Sequence, residues 1–296
     1  MRIVTRPDFD GIVCAVFLLE AIEDINEPIK WTEPSDLQKG LVQIKKGDIL
    51  ANLPYHKNCS LWFDHHCSNK IDTPFEGAFE LLPSAASIIF KYYKNIFKKD
   101  YSELVKHTDK IDSAALSYEE VLNPENDPYI LLSMTISGRD KNDEWYWNKV
   151  VNLLRTNEIY TIMKDSDVKK QCEEFINQNK KYKDFLLAHT KIIGEVSITD
   201  FTEFEMPPSG NRFLIYSLFP ESIVNVKIRY DDNDKDKVIV SVGESIFNRK
   251  CNVNIGEMLA KFEGGGHRSV GACRFHINKK DEYIPKIIEI LVKNNS

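Results

Sequence analysis

Leu61-Trp62-Phe63-Asp64-His65-His66 is the stretch on which the reading of this chain turns. The three apolar residues read as a short buried strand, and a carboxylate with two imidazoles follows at its end. Such groups are costly to bury without partners. Open α/β sheets place their ligands at the carboxyl ends of parallel strands. A hard divalent cation would satisfy one carboxylate and one imidazole together. The second imidazole is then left to meet an anionic substrate.

Toward the N-terminus, Arg6-Pro7-Asp8-Phe9-Asp10-Gly11 stands between the apolar pair Ile3-Val4 and the run Ile12 to Leu19. That order reads as strand, Asp-x-Asp-Gly turn, helix. Two carboxylates so placed suit a hard cation, the alternative being an Asx-turn or a helix N-cap. Toward the other end, Gly264-Gly265-Gly266-His267-Arg268 is a glycine run followed by two phosphate donors. Glycine lets a backbone approach an anion closely, and successive N–H groups can form an anion-binding nest.

In this order the three motifs resemble the DHH phosphoesterase family. Asp8 and Asp10 match its first motif, Asp64-His65-His66 is the motif that names it, and EGGGHRSVG over Glu263 to Gly271 is similar to the signature of its DHH-associated C-terminal domain. The resemblance covers nearly the whole chain. It implies an α/β fold: a mainly parallel-sheet DHH domain over 1–185, a smaller α/β substrate-binding domain over 190–296, and an active site in the cleft between them.

The resemblance also implies roles. Asp10, His65 and Asp109 are expected to hold one tight Mn2+ or Mg2+ ion, and Asp8 with Asn52 a weaker second one. His66 is expected to face the substrate phosphate, with Asp64 supporting it. Gly264, Gly265, Gly266, His267 and Arg268 are expected to bind substrate, and Arg249 and Lys250 are further anion-binding candidates. Asp109 follows the first domain's central helices, in His107-Thr108-Asp109-Lys110-Ile111-Asp112. Asp112 competes with it, and His107 is an additional candidate.

Two departures from the family pattern bear on the metal. A histidine that many members carry before the Asp-x-Asp pair is absent, and the two positions hold Val4 and Arg6. The bridging aspartate expected before the DHH strand is replaced at the strand end by Asn52, with Asp48 at its start. Arg6 cannot ligate a metal, but it can supply positive charge and hold a phosphate oxygen.

Composition bounds the function. The chain has 296 residues, 42% hydrophobic and 28% charged, with a net charge of −6, which is ordinary for a globular protein. That charge argues against broad binding to long nucleic acid. The six cysteines are scattered with no Cys-x-x-Cys pair, no stretch is apolar enough to span a membrane, and no signal-peptide pattern is seen. A cytoplasmic protein with reduced thiols is expected.

Farther along, Leu41 to Ile44, Asp48 to Leu53 and Ser60 to Phe63 read as strands. Pro83 to Phe97 reads as a helix with Ser84 as N-cap, and Glu144 to Leu187 as largely helical. The texture changes near Lys191, with a domain boundary expected within 180–192. Beyond it Ile192 to Ile198, Phe213 to Leu218, Val224 to Arg229 and Val238 to Val242 read as strands, and Asn254 to Phe262 and Asp281 to Lys293 as helices.

The expected activity is metal-dependent hydrolysis of a phosphodiester or phosphomonoester in a short oligonucleotide or small nucleotide. The alternatives are an exopolyphosphatase, with a cationic track and no base platform, and a non-catalytic nucleotide sensor derived from a phosphoesterase. For base stacking, Trp62, Phe9, Tyr55 and Phe247 are the aromatic candidates. The expected partner is a small phosphorylated substrate, with neither long nucleic acid nor a membrane, and a homodimer is left open.

Overall fold

The computed structural model describes residues 1–138, 141–205, 208–232 and 234–295. The contacts divide the chain into two units. The first comprises 1–116 and 123–174, the second 117–122 and 175–296. The division falls inside a long helix, ahead of the 180–192 window read from composition.

In the first unit β1 (Arg2–Thr5), α1 (Phe9–Ala21), β2 (Lys30–Trp31), α2 (Pro34–Gln38), β3 (Asp48–Ala51), β4 (Leu61–Asp64) and β5 (Gly77–Phe79) come first. The helices α3 (Ala85–Tyr92) and α4 (Ser102–Asp112) follow. The five strands form one sheet in the order β2-β1-β3-β4-β5, and every adjacent pair is parallel. The residues after β1, β3 and β4 therefore emerge along one edge. Those residues are Arg6 to Asp10, Asn52, and His65 with His66.

Helix α1 is apolar on all sides from Ile12 to Leu18 and completely buried there, as a central helix should be. It packs on β1 and against α3, α4 and a later helix. Gly11 lets it start so close to the sheet: a Cβ there would lie 1.9 Å from the Arg6 carbonyl oxygen. Trp62 and Phe63 of β4 are fully buried, and Trp62 donates its indole N–H to the Leu53 carbonyl at 2.8 Å.

The short helix α5 (Tyr118–Leu122) belongs to the second unit, whereas α6 (Pro128–Met134), α7 (Glu144–Thr156) and α8 (Ile159–Ile162) complete the first. Helix α9 (Ser166–His189) carries the chain onward. The second unit then adds β6 (Thr190–Ile193), β7 (Val196–Asp200), α10 (Leu214–Leu218), β8 (Val224–Tyr230), β9 (Lys237–Glu244), α11 (Ile255–Ala260), β10 (Gly264–His267), β11 (Val270–His276) and α12 (Lys280–Lys293). Its sheet has the order β10-β11-β9-β8-β7-β6 and is mixed, with β7 and β8 parallel and the other pairs antiparallel. The fold is thus the α/β class expected, with a parallel sheet in the N-terminal part and a mixed one in the C-terminal part.

Some local readings change. Leu41 to Ile44 is not a strand: Leu41 is 70% exposed, so the short apolar run has no sheet to join. Leu214–Leu218 is a helical turn, not a strand, because Leu214, Ile215 and Tyr216 bury against Tyr182, Phe185 and Phe201. Among the described residues no helix is long and apolar enough to cross a membrane.

Candidate active site

At the edge of the parallel sheet, Asp10 is buried in the first turn of α1. Its Oδ2 accepts the Ala85 N–H at 2.9 Å and its Oδ1 the Ala86 N–H at 2.8 Å. Burial and the neighbouring Asp8 push its carboxyl up to about 7, against the pull of those two backbone bonds and His66. Asp8 caps α1, accepting the Gly11 N–H at 2.9 Å. Asn52 donates Nδ2–H to the same oxygen at 3.0 Å, and Arg6 Nε lies 3.2 Å from the other.

His65 is held by the Leu82 carbonyl, 3.0 Å from Nδ1. A carbonyl only accepts, so Nδ1 carries a proton, which leaves Nε2 as the ring nitrogen that a metal could take. That nitrogen is buried with no hydrogen-bond partner. It stands 3.3 Å from Asp112 Oδ2 and 3.9 Å from Asp10 Oδ2. A lone pair facing two carboxylates is unfavourable unless a proton or cation lies between them. The three donor atoms lie within 4.8 Å of one another. Donors sharing a small divalent ion through bonds of about 2.1 Å stand roughly 3–4 Å apart, so the set fits such an ion. Burial, then Asp10 and Asp8, push the Asp112 carboxyl up as well. A second buried atom without a partner is Asn52 Oδ1.

Asp64, His65 and His66 also converge, but the oxygens of Asp64 are already engaged. Asp64 Oδ1 is 2.8 Å from His66 Nδ1, and Oδ2 accepts Asn69 Nδ2–H at 2.6 Å. The group with Asp10 and Asp112 is therefore the better metal site. The hydrogen bond to Asp64 raises the His66 pKa above its ordinary value, against the opposing effect of burial. A carboxylate thereby orients an imidazole and favours its charged form.

Asp109, expected as a ligand, and the further candidates Asp48 and His107 make other contacts. Asp109 accepts the Ser84 hydroxyl at 2.6 Å and the Ser87 hydroxyl at 2.6 and 2.7 Å, so it anchors α4 to the start of α3. The reason is that α4 does not end before Asp109 but runs through to Asp112. Residues three apart share a helix face, and it is Asp112 that meets His65. Asp48, at the opposite end of β3, pairs with Arg2 Nε at 2.9 Å and Nη2 at 2.6 Å. His107 stacks on Tyr129 at 4.3 Å.

The second unit corrects the reading of the glycine run. Gly264–His267 is strand β10, laddered to β11, and not a looped nest. Cβ atoms at Gly264 and Gly266 would come within 2.4 Å of Ala272 and 2.3 Å of Val270 carbonyl oxygens, whereas one at Gly265 would meet nothing. Gly265 is thus the glycine with open space before it. Arg268 spends its guanidinium internally, donating to the Val253 and Cys251 carbonyls at 2.7 Å each. His267 is exposed, as are Arg249 and Lys250. The aromatic candidates Trp62 and Phe9 are core residues, 0% and 4% exposed. Tyr55 packs on Trp62 and Phe247 on Tyr118.

Sequence reasoning missed Asn69, Ser87 and Glu33, which hold Asp64, Asp109 and Arg6 respectively. Ser84 stood out only as a cap. It does cap α3, accepting the Ser87 N–H at 3.0 Å, and donates to Asp109 besides.

A parallel sheet whose carboxyl edge carries Asp-x-Asp and Asp-His-His defines the class: the chain belongs to the DHH phosphoesterase family. It is similar to the pGpG-specific phosphodiesterase PggH from Vibrio cholerae, with 30% identity, 99% of each chain covered and a TM-score of 0.84. It shares its fold with RecJ from Thermus thermophilus in complex with Mn2+, at 12% identity and TM-score 0.59, covering 99% of this chain and 52% of that one. An exopolyphosphatase-related protein from Bacteroides fragilis also shares the fold, at 12% identity and TM-score 0.54, with 99% and 91% covered. No protein-family model and no curated protein sequence matches the chain.

Proposed function

We propose that this protein is a Mn2+- or Mg2+-dependent phosphodiesterase that cleaves a short linear dinucleotide. The observation that carries the metal is the buried His65 Nε2, which makes no hydrogen bond and is turned toward Asp112 and Asp10. The substrate class rests on the 30% identity to a pGpG-specific enzyme across 99% of both chains.

In this reading Asp10, His65 and Asp112 hold the ion, Asn52 Oδ1 adds a neutral oxygen, and Asp109 positions the start of α3 behind them. When bound, a divalent cation supplies Lewis acidity and makes water a nucleophile near neutral pH. The chain's own contribution is charge and orientation. His66, whose charged form Asp64 favours, donates to a phosphoryl oxygen and stabilises the negative charge that grows there. Within the second unit, His267 is an exposed donor close in sequence to Gly265, which has open space before it. Arg268 keeps the backbone at 251–253 in place.

The test is turnover of a panel with Mn2+ present: pGpG, a cyclic dinucleotide, an adenosine bisphosphate and polyphosphate. Hydrolysis of pGpG that stops in excess chelator is expected. Preferential release of phosphate from polyphosphate would favour the exopolyphosphatase alternative. Binding of the nucleotide with no turnover of any substrate would favour the sensor.

A further inference from the structure

Asp8 has its partners within the chain. Oδ1 accepts the Gly11 N–H at 2.9 Å and Asn52 Nδ2–H at 3.0 Å. Oδ2 faces Arg6 Nε at 3.2 Å, and the same Nε lies 3.3 Å from Glu33 Oε2. A guanidinium stays charged and offers no lone pair to a metal. A cation brought to Asp8 would stand within a few ångströms of that fixed charge and be repelled. Asn52 compounds the exclusion, because its amide turns hydrogen, not oxygen, toward Asp8. The carboxylate that would serve a second ion is thus occupied by a residue that no metal can share.

Resting on the metal-centre reading above, we propose that Arg6, held between Asp8 and Glu33, stands in for a second metal ion, so that the centre takes one divalent cation, at Asp10, His65 and Asp112. Both carboxylates meet the guanidinium at Nε, and the Arg6 side chain is 38% exposed. Among the described residues the one hydrogen bond of its side chain runs from Nε to Glu33, which leaves the terminal nitrogens to a phosphate oxygen as a two-pronged donor. The positive charge that a second ion would bring is carried by the chain, and removing metal does not remove it.

The experiment counts Mn2+ per chain by calorimetric titration and by electron paramagnetic resonance. It uses the wild type, Asn52→Asp, and the double variant Arg6→His with Asn52→Asp, each checked for folding by its melting curve. One ion is expected in the wild type and in Asn52→Asp, where the guanidinium remains, and two in the double variant. Two ions in the wild type or in Asn52→Asp overturn the proposal while leaving the metal centre standing. One ion in a folded double variant also overturns it, since Arg6 is then not what excludes the second. No ion in the wild type overturns the metal-centre reading itself, and the proposal with it. Arg6→Ala with Asn52→Asp makes the same comparison should the histidine variant not fold.

Discussion

His65 Nε2 and Asp112 Oδ2 face each other across 3.3 Å, while the other ring nitrogen is pinned by the Leu82 carbonyl. The contact makes sense only with something positive in it, and the predictions start there.

Asp112→Asn and His65→Ala should each abolish tight Mn2+ binding. Asp109→Asn should keep the ion and lower affinity by about 10–100-fold, the cost of losing a group that positions ligands. Mn2+ titration of the three variants separates the roles. If Asp109→Asn loses the ion while Asp112→Asn keeps it, the assignment of Asp112 is wrong.

The metal-free protein should be more stable in mild acid than at neutral pH. Asp10 titrates near 7 when folded and near 3.9 when unfolded, so between those values the folded chain binds more protons. Its stability therefore falls as pH rises through that window. Melting curves with chelator should show a higher Tm at pH 5 than at pH 7.5. Added Mn2+ should raise the Tm more at pH 7.5, where the proton no longer competes.

His66→Ala should retain the ion and lose about 10²–10³ in kcat, the usual cost of removing one donor to a developing oxyanion. Asn69→Ala should act more weakly by loosening Asp64. In an NMR titration the His66 pKa should sit above its ordinary value in the wild type and drop in Asp64→Asn. An unchanged value in that variant would show that Asp64 does not hold the charge.

Arg268→Ala should lower stability by about 1–2 kcal/mol, since two charge-assisted hydrogen bonds to carbonyls are lost. His267→Ala should leave the melting curve unchanged and raise KM or lower kcat. Paired melting and kinetic measurements test both, and the reverse pattern would make Arg268 the substrate residue.

The parallel sheet was legible because β1, β3 and β4 announce themselves as apolar runs that end in polar clusters. Gly77–Phe79 was not, having three residues and no periodicity to read. The Asp-x-Asp and Asp-His-His pairs were legible as local patterns. The choice between Asp109 and Asp112 depended on how far α4 continues, and helix ends are set by tertiary packing as much as by sequence. The internal partners of Arg268 are backbone carbonyls at 251 and 253, which no side-chain pattern reveals. Glu33 and Asn69 act through single long-range or loop contacts and carry no motif.

Asp10, proposed as a metal ligand, is also a helix anchor. Both of its oxygens take amide hydrogens from the start of α3, so it fastens that helix whether or not it binds an ion. An inactive Asp10 variant is therefore a poor control for a metal-free enzyme, because it also unhooks a structural element. A knockout at His65 perturbs less, because it costs one hydrogen bond, from Nδ1 to the Leu82 carbonyl, and leaves the start of α3 fastened.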